Sequence, residues 1–131
     1  MTADPAPPRP ASVDTDALIS SLREHTAGLP AGTAAIDLLA RHRTWLSRPD
    51  FHHHIHLTPT TGIPVAWIDW PAAVSALGCG QLPCATSEAA VLRIAAALGA
   101  DLPVHLHQLL GGLDRHTIAL VTTAITDANG A

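Results

Sequence analysis

The stretch Phe51-His52-His53-His54-Ile55-His56-Leu57 decides the fold class. Along an extended chain Phe51, His53, Ile55 and Leu57 fall on one side and His52, His54 and His56 on the other, the period of a strand. Thr58-Pro59-Thr60-Thr61-Gly62 is turn material, and Ile63 to Asp69 is again rich in β-branched and aromatic residues. The simplest reading is an antiparallel hairpin with strands at roughly 51–57 and 63–69. Two strands alone are marginal in water, so one face must rest on helices. Alternation puts Ile63, Val65 and Trp67 on a single face, which is expected to point inward, with Trp70 also a core candidate.

Helical patterning surrounds the hairpin. Upstream, Asp14, Thr15 and Asp16 offer caps before Leu18, Ile19 and Leu22, giving a helix from about Thr15 to Thr26. Gly28, Pro30 and Gly32 interrupt, and Thr33 is the expected cap of a helix carrying Ile36, Leu38, Leu39, Trp45 and Leu46 to about Ser47. Downstream, Asp69-Trp70-Pro71 starts a helix that stops at Gly78. Thr86 and Ser87 are cap candidates for the next, with Val91, Leu92, Ile94, Ala95 and Leu98 as its buried stripe. A short helix from about Val104 to Leu110 precedes a last one, which is capped by Asp114 and carries Ile118, Val121, Ile125 and Ala128 to Asn129. The expected class is therefore α+β, mostly helical, with about five helices around one hairpin. Residues 1–13, with prolines at 5, 7, 8 and 10, read as a flexible tail, and 14–131 as a single domain.

Composition agrees with one core and limits the partners. The 131 residues are 47% hydrophobic and 14% charged, enough apolar surface to offset the entropy of ordering. Seven arginines, no lysine and eleven acids give a net charge of −4, which argues against a broad nucleic-acid footprint. Protonating all nine histidines would raise that charge by nine, to +5. No basic-then-apolar leader and no apolar stretch of membrane-spanning length is visible, so a reduced cytoplasm is expected.

Ile68-Asp69-Trp70-Pro71-Ala72-Ala73, Leu82-Pro83-Cys84, Glu88, Leu92-Arg93-Ile94-Ala95-Ala96 and Gly112-Leu113-Asp114 together resemble a family of short, uncharacterised actinobacterial proteins over roughly Gly62 to Asn129. The resemblance implies a bacterial, cytoplasmic setting and a helical C-terminal half. It implies no activity, and the His tract lies outside it.

Four constellations could carry chemistry. On a strand, His52, His54 and His56 would stand about 6.5 to 7 Å apart, close enough for two imidazoles to share Zn²⁺ or Ni²⁺ with help from His105, His107 or a cysteine. Cys79 and Cys84, four residues apart, have no second pair to complete a closed site; packing explains them more simply, although a helix N-terminus near Cys84 could lower its pKa. Arg41, Arg43 and Arg48 around Trp45 could grip phosphates beside a stacking indole, or form a solvated helix end. Trp67 and Trp70 are candidate interaction anchors and equally candidate core. No nucleophile elbow, phosphate loop or His-Glu-x-x-His pair occurs. The expectation is a non-enzymatic protein-interaction or accessory module, with a homodimer through the hairpin edge as one form it can take. The alternatives are a metal-responsive protein using the His strand and a weak nucleic-acid-binding accessory using the arginines.

Overall fold

The computed structural model describes residues 15–58 and 65–130; the expected tail, turn residues 59–62 and strand residues 63 and 64 lie outside them, while Thr58, expected in the turn, belongs to the first strand. In order, the described chain forms α1 (Thr15–His25), α2 (Pro30–His42), a 3₁₀ turn (Trp45–Ser47), α3 (Pro49–His52), β1 (Ile55–Thr58), β2 (Val65–Ile68), α4 (Trp70–Gly78), α5 (Thr86–Ala100), α6 (Leu106–Leu110) and α7 (Arg115–Ala128). The strands pair antiparallel, Ile55 opposite Ile68, His56 opposite Trp67, Leu57 opposite Ala66 and Thr58 opposite Val65. The fold is α+β and mostly helical, with one hairpin, as its sequence indicates.

Within the hairpin the structure corrects two expectations. Pro49 opens a single helical turn, so Phe51 and His52 belong to α3 and the strand begins only at Ile55. Phe51 is wholly buried, its ring 5.5 Å from that of Trp45, and burying that ring outweighs the alternation it shares with 53, 55 and 57. The inward face is also the opposite one: Ala66 and Ile68 are buried, whereas Trp67 is 37% exposed. Because α1 lies against β2, the inward positions take Ala66 and Ile68 beside Leu22, and the large indole is left outside. Trp70 is buried, on the first turn of α4.

At the centre is α2, packed against both α5 and α7. Its buried set, Ala34, Ala35, Ile36, Leu38 and Leu39, combines small residues that let neighbouring backbones approach with leucines that fill the space. The helix starts at Pro30, three residues before Thr33, since proline is pre-organised for a first turn. Thr33 instead donates its hydroxyl to the Thr26 carbonyl at 3.1 Å. Gly32 packs against the side chain of the same threonine, where a Cβ would stand 3.0 Å from Thr26 Cγ2. At the other end Arg43 takes a left-handed conformation, φ 67°, and stops the helix at His42, short of the expected Ser47.

Several helix starts follow their sequence signals. Asp69 accepts from the Ala72 N–H at 3.1 Å and Asp114 from the Thr117 N–H at 2.8 Å. For α5 the cap position is Ala85, and Glu88 reaches back to its N–H at 2.8 Å in place of a Thr86 or Ser87 hydroxyl. On α7 the buried positions are Thr117, Val121 and Ala124, and Ile125 is 51% exposed.

Where α5 meets α4, Gly99 lies under the Trp70 indole, and a Cβ would come within 2.6 Å of Nε1. Gly99→Ala should lower stability by about 1–3 kcal/mol through overpacking. Gly78→Ala, which meets nothing within 4 Å, should be neutral or stabilising by up to about 1 kcal/mol. Urea midpoints of the two variants check the contrast.

Candidate functional site

Outside the core, the hairpin carries a compact arrangement of rings. His56 and Trp67 are direct cross-strand partners, stacked at 5.3 Å between centroids and 26° between planes. His25, the last residue of α1, tilts against the same indole at 5.9 Å. Asp69 divides its carboxylate: Oδ1 caps α4, and Oδ2 stands 3.8 Å from His56 Nε2, an ion pair whenever His56 is protonated. The result is a partly exposed indole flanked by two imidazoles, with exposed Leu29 at the turn before α2; Leu57, also exposed, lies on the opposite face of β1.

Beside this indole the outer edge of β1 pairs with no other strand among the described residues. The Asp69 N–H donates to the His54 carbonyl at 2.8 Å, which makes 54–69, 56–67 and 58–65 the hydrogen-bonded pairs. The backbone groups of Ile55 and Leu57 therefore point away from β2. Under this edge Leu18, His52, Ile55 and Leu57 line a mainly apolar hollow of about 180 Å³.

The proposed metal strand is not assembled. His52 sits in α3 and bonds the Leu46 carbonyl through Nε2 at 2.7 Å; His54 precedes β1, edge-on to Phe51; only His56 lies in the strand. The helical turn at Pro49 breaks the extended geometry that would have aligned them. Among the described residues no three His, Cys, Asp or Glu side chains are grouped to hold a metal. Cys79 is exposed and Cys84 half-buried, both as free thiols. Burial pushes the Cys84 thiol up and Glu88 adds to this, against a weaker pull from Arg48 and Arg93. Being next to the start of α5 thus does not lower it.

Nor do the arginines form an open phosphate patch. Trp45 is fully buried and donates Nε1–H to the Glu88 carbonyl at 2.9 Å, which removes the stacking surface. Arg48 lies 4.7 Å over the Trp45 ring and forks onto Asp50, whose carboxyl it holds below the usual range. Arg41 pairs with Asp127 at 3.5 Å. Arg43 borders a separate hollow with Asp16 at its rim.

One polar feature has no sequence signal. His42 ends α2 where α5 and α7 begin, facing Glu88, Asp114 and His116, and its buried Nδ1 has no hydrogen-bond partner. Burial lowers its pKa, opposed by Glu88 and Asp114 and assisted by His116. An unfolded His42 takes up its proton near about pH 6.5 and the folded one at lower pH, so in that window the unfolded chain binds more protons. Stability should therefore fall as pH drops through it. Urea midpoints at about pH 7.5 and about pH 5.5 should show a larger loss in the native chain than in His42→Gln; equal losses contradict the assignment.

Cys84, Glu88, His105, His107 and His116 do not form a nucleophile–base pair: Glu88 is used as a cap, and His105 and His107 are exposed on the loosely packed α6 segment. No family model, curated protein or solved structure matches this chain.

Proposed function

We propose that this protein is a non-enzymatic interaction module that docks a protein partner on the outer side of its hairpin. The observation that supports this reading most is Trp67, a large indole left 37% exposed between two imidazoles while Trp45 and Trp70 are buried. Tryptophan supplies more contact area per immobilised side chain than most residues and dominates interface hot spots. The β1 edge, with no further strand on it among the described residues, borders this surface, and exposed Leu57 lies at the same edge on the opposite face; together they suit an extended peptide or strand better than a phosphate backbone. The setting we assign is a bacterial cytoplasm, on the resemblance of the 62–129 segment. No helix among the described residues is long and apolar enough to cross a membrane.

Trp67→Ala separates docking from folding. Removing a ring that is only 37% exposed should lower stability by about 1–3 kcal/mol and leave the fold in place, which circular dichroism checks. A partner recovered with the full chain, purified and titrated calorimetrically, should bind the variant at least about tenfold more weakly. Equal affinity for the two proteins, or turnover of a substrate abolished by a single substitution elsewhere, would overturn the reading.

A further inference from the structure

We infer that the partner that fits the β1 edge is a second copy of this chain, joined in one defined antiparallel register. The inference rests on the interaction-module reading and narrows it to self-pairing. Within β1, Ile55 and Leu57 direct their backbone N–H and C=O away from β2, one residue on each side of His56. Two such edges related by a two-fold axis match all of these groups only when Ile55 of each copy faces Leu57 of the other. That register makes two hydrogen-bonded pairs, four N–H···O=C bonds, and sets the two His56 residues opposite each other as a non-hydrogen-bonded pair.

The side chains agree with that register. On the inner face a continuous apolar row forms, Ile68, Ile55, then Leu57 and Ala66 of the second copy, and its mirror. It covers Leu57, which is 57% exposed in the single chain, and closes the hollow beside Leu18. On the outer face the row reads Trp67, His56, then His56 and Trp67 of the second copy, so the exposed indoles flank the join. The edge also lacks the features that usually prevent such pairing: Ile55–Thr58 contains no Asp, Glu, Lys, Arg or proline, and its register with β2 runs without a bulge. A contact between two four-residue strands is small, so the dimer is reversible and dependent on concentration.

The test uses the full chain in size-exclusion chromatography with light scattering, loaded from about 10 μM to about 1 mM. The mass should rise from 13.6 kDa toward twice that value. Leu57→Pro should remain monomeric with an unchanged circular dichroism spectrum, because the Leu57 N–H takes no part in the β1–β2 ladder. Leu57→Arg, at a position already exposed in the monomer, should behave alike and serves if the proline variant misfolds. In a Cys79→Ser, Cys84→Ser background, His56→Cys should oxidise to a disulfide-linked dimer, while Thr58→Cys should not. A constant 13.6 kDa mass, dimerisation of folded Leu57→Pro or Leu57→Arg equal to that of the native chain, or crosslinking at 58 in preference to 56 would overturn the inference. A constant monomer whose heterologous binding still depends on Trp67 would sink self-pairing alone and leave the interaction-module reading standing.

Discussion

The indole of Trp45 is the contact on which the rest of the architecture depends. It is wholly buried, bonded to the Glu88 carbonyl in the first turn of α5, packed against Phe51 and covered by the Arg48 guanidinium. One side chain thus holds the 3₁₀ turn, α3 and α5 together. An indole N–H sealed in a core without a partner would carry the full cost of its desolvation, about 1–3 kcal/mol, so the carbonyl at 2.9 Å fixes where α5 must begin relative to α2. With Phe51 drawn into that cluster, the chain turns through α3 before it can extend, and the hairpin is confined to four residues a side.

Around this anchor, packing is dominated by α2. Alanines at 34 and 35 and leucines at 38 and 39 face α5, α7 and the α1 side, and glycines at 32 and 99 allow the two closest approaches. The ends of the helices gather the polar groups: Asp69 and Asp114 each accept from a first-turn N–H and Glu88 from the N–H of the cap residue Ala85, which places acidic side chains at three helix starts. His42 meets two of those starts from the end of α2, half-buried, and its burial there disfavours the charged imidazole.

How much of this the sequence discloses depends on the range of the interaction. Asp69-Trp70-Pro71 and Asp114 announce their helices, because a cap and a first-turn proline act within three residues. The hairpin is also legible, from its turn residues and β-branched content. Phe51 misleads, since its apparent place in a two-residue period is overridden by a ring contact with Trp45 that no local pattern contains. Trp67 misleads for a related reason: both hairpin faces look apolar enough to bury, and the choice is made by α1, forty residues away, which lies over Ala66 and Ile68. His42 gives no sign at all, because its surroundings come from α5 and α7, more than forty residues downstream.

On the hairpin these demands leave a short edge, an indole and an imidazole on the surface beside the imidazole of His25, and the function is placed there. The most direct measurement is amide hydrogen exchange by NMR at Ile55, His56 and Leu57 over a dilution series. The account predicts that His56, bonded to β2, is protected at every concentration, whereas Ile55 and Leu57 exchange freely in dilute solution and become protected as the protein is concentrated. Exchange at Ile55 and Leu57 that is the same at all concentrations would contradict it.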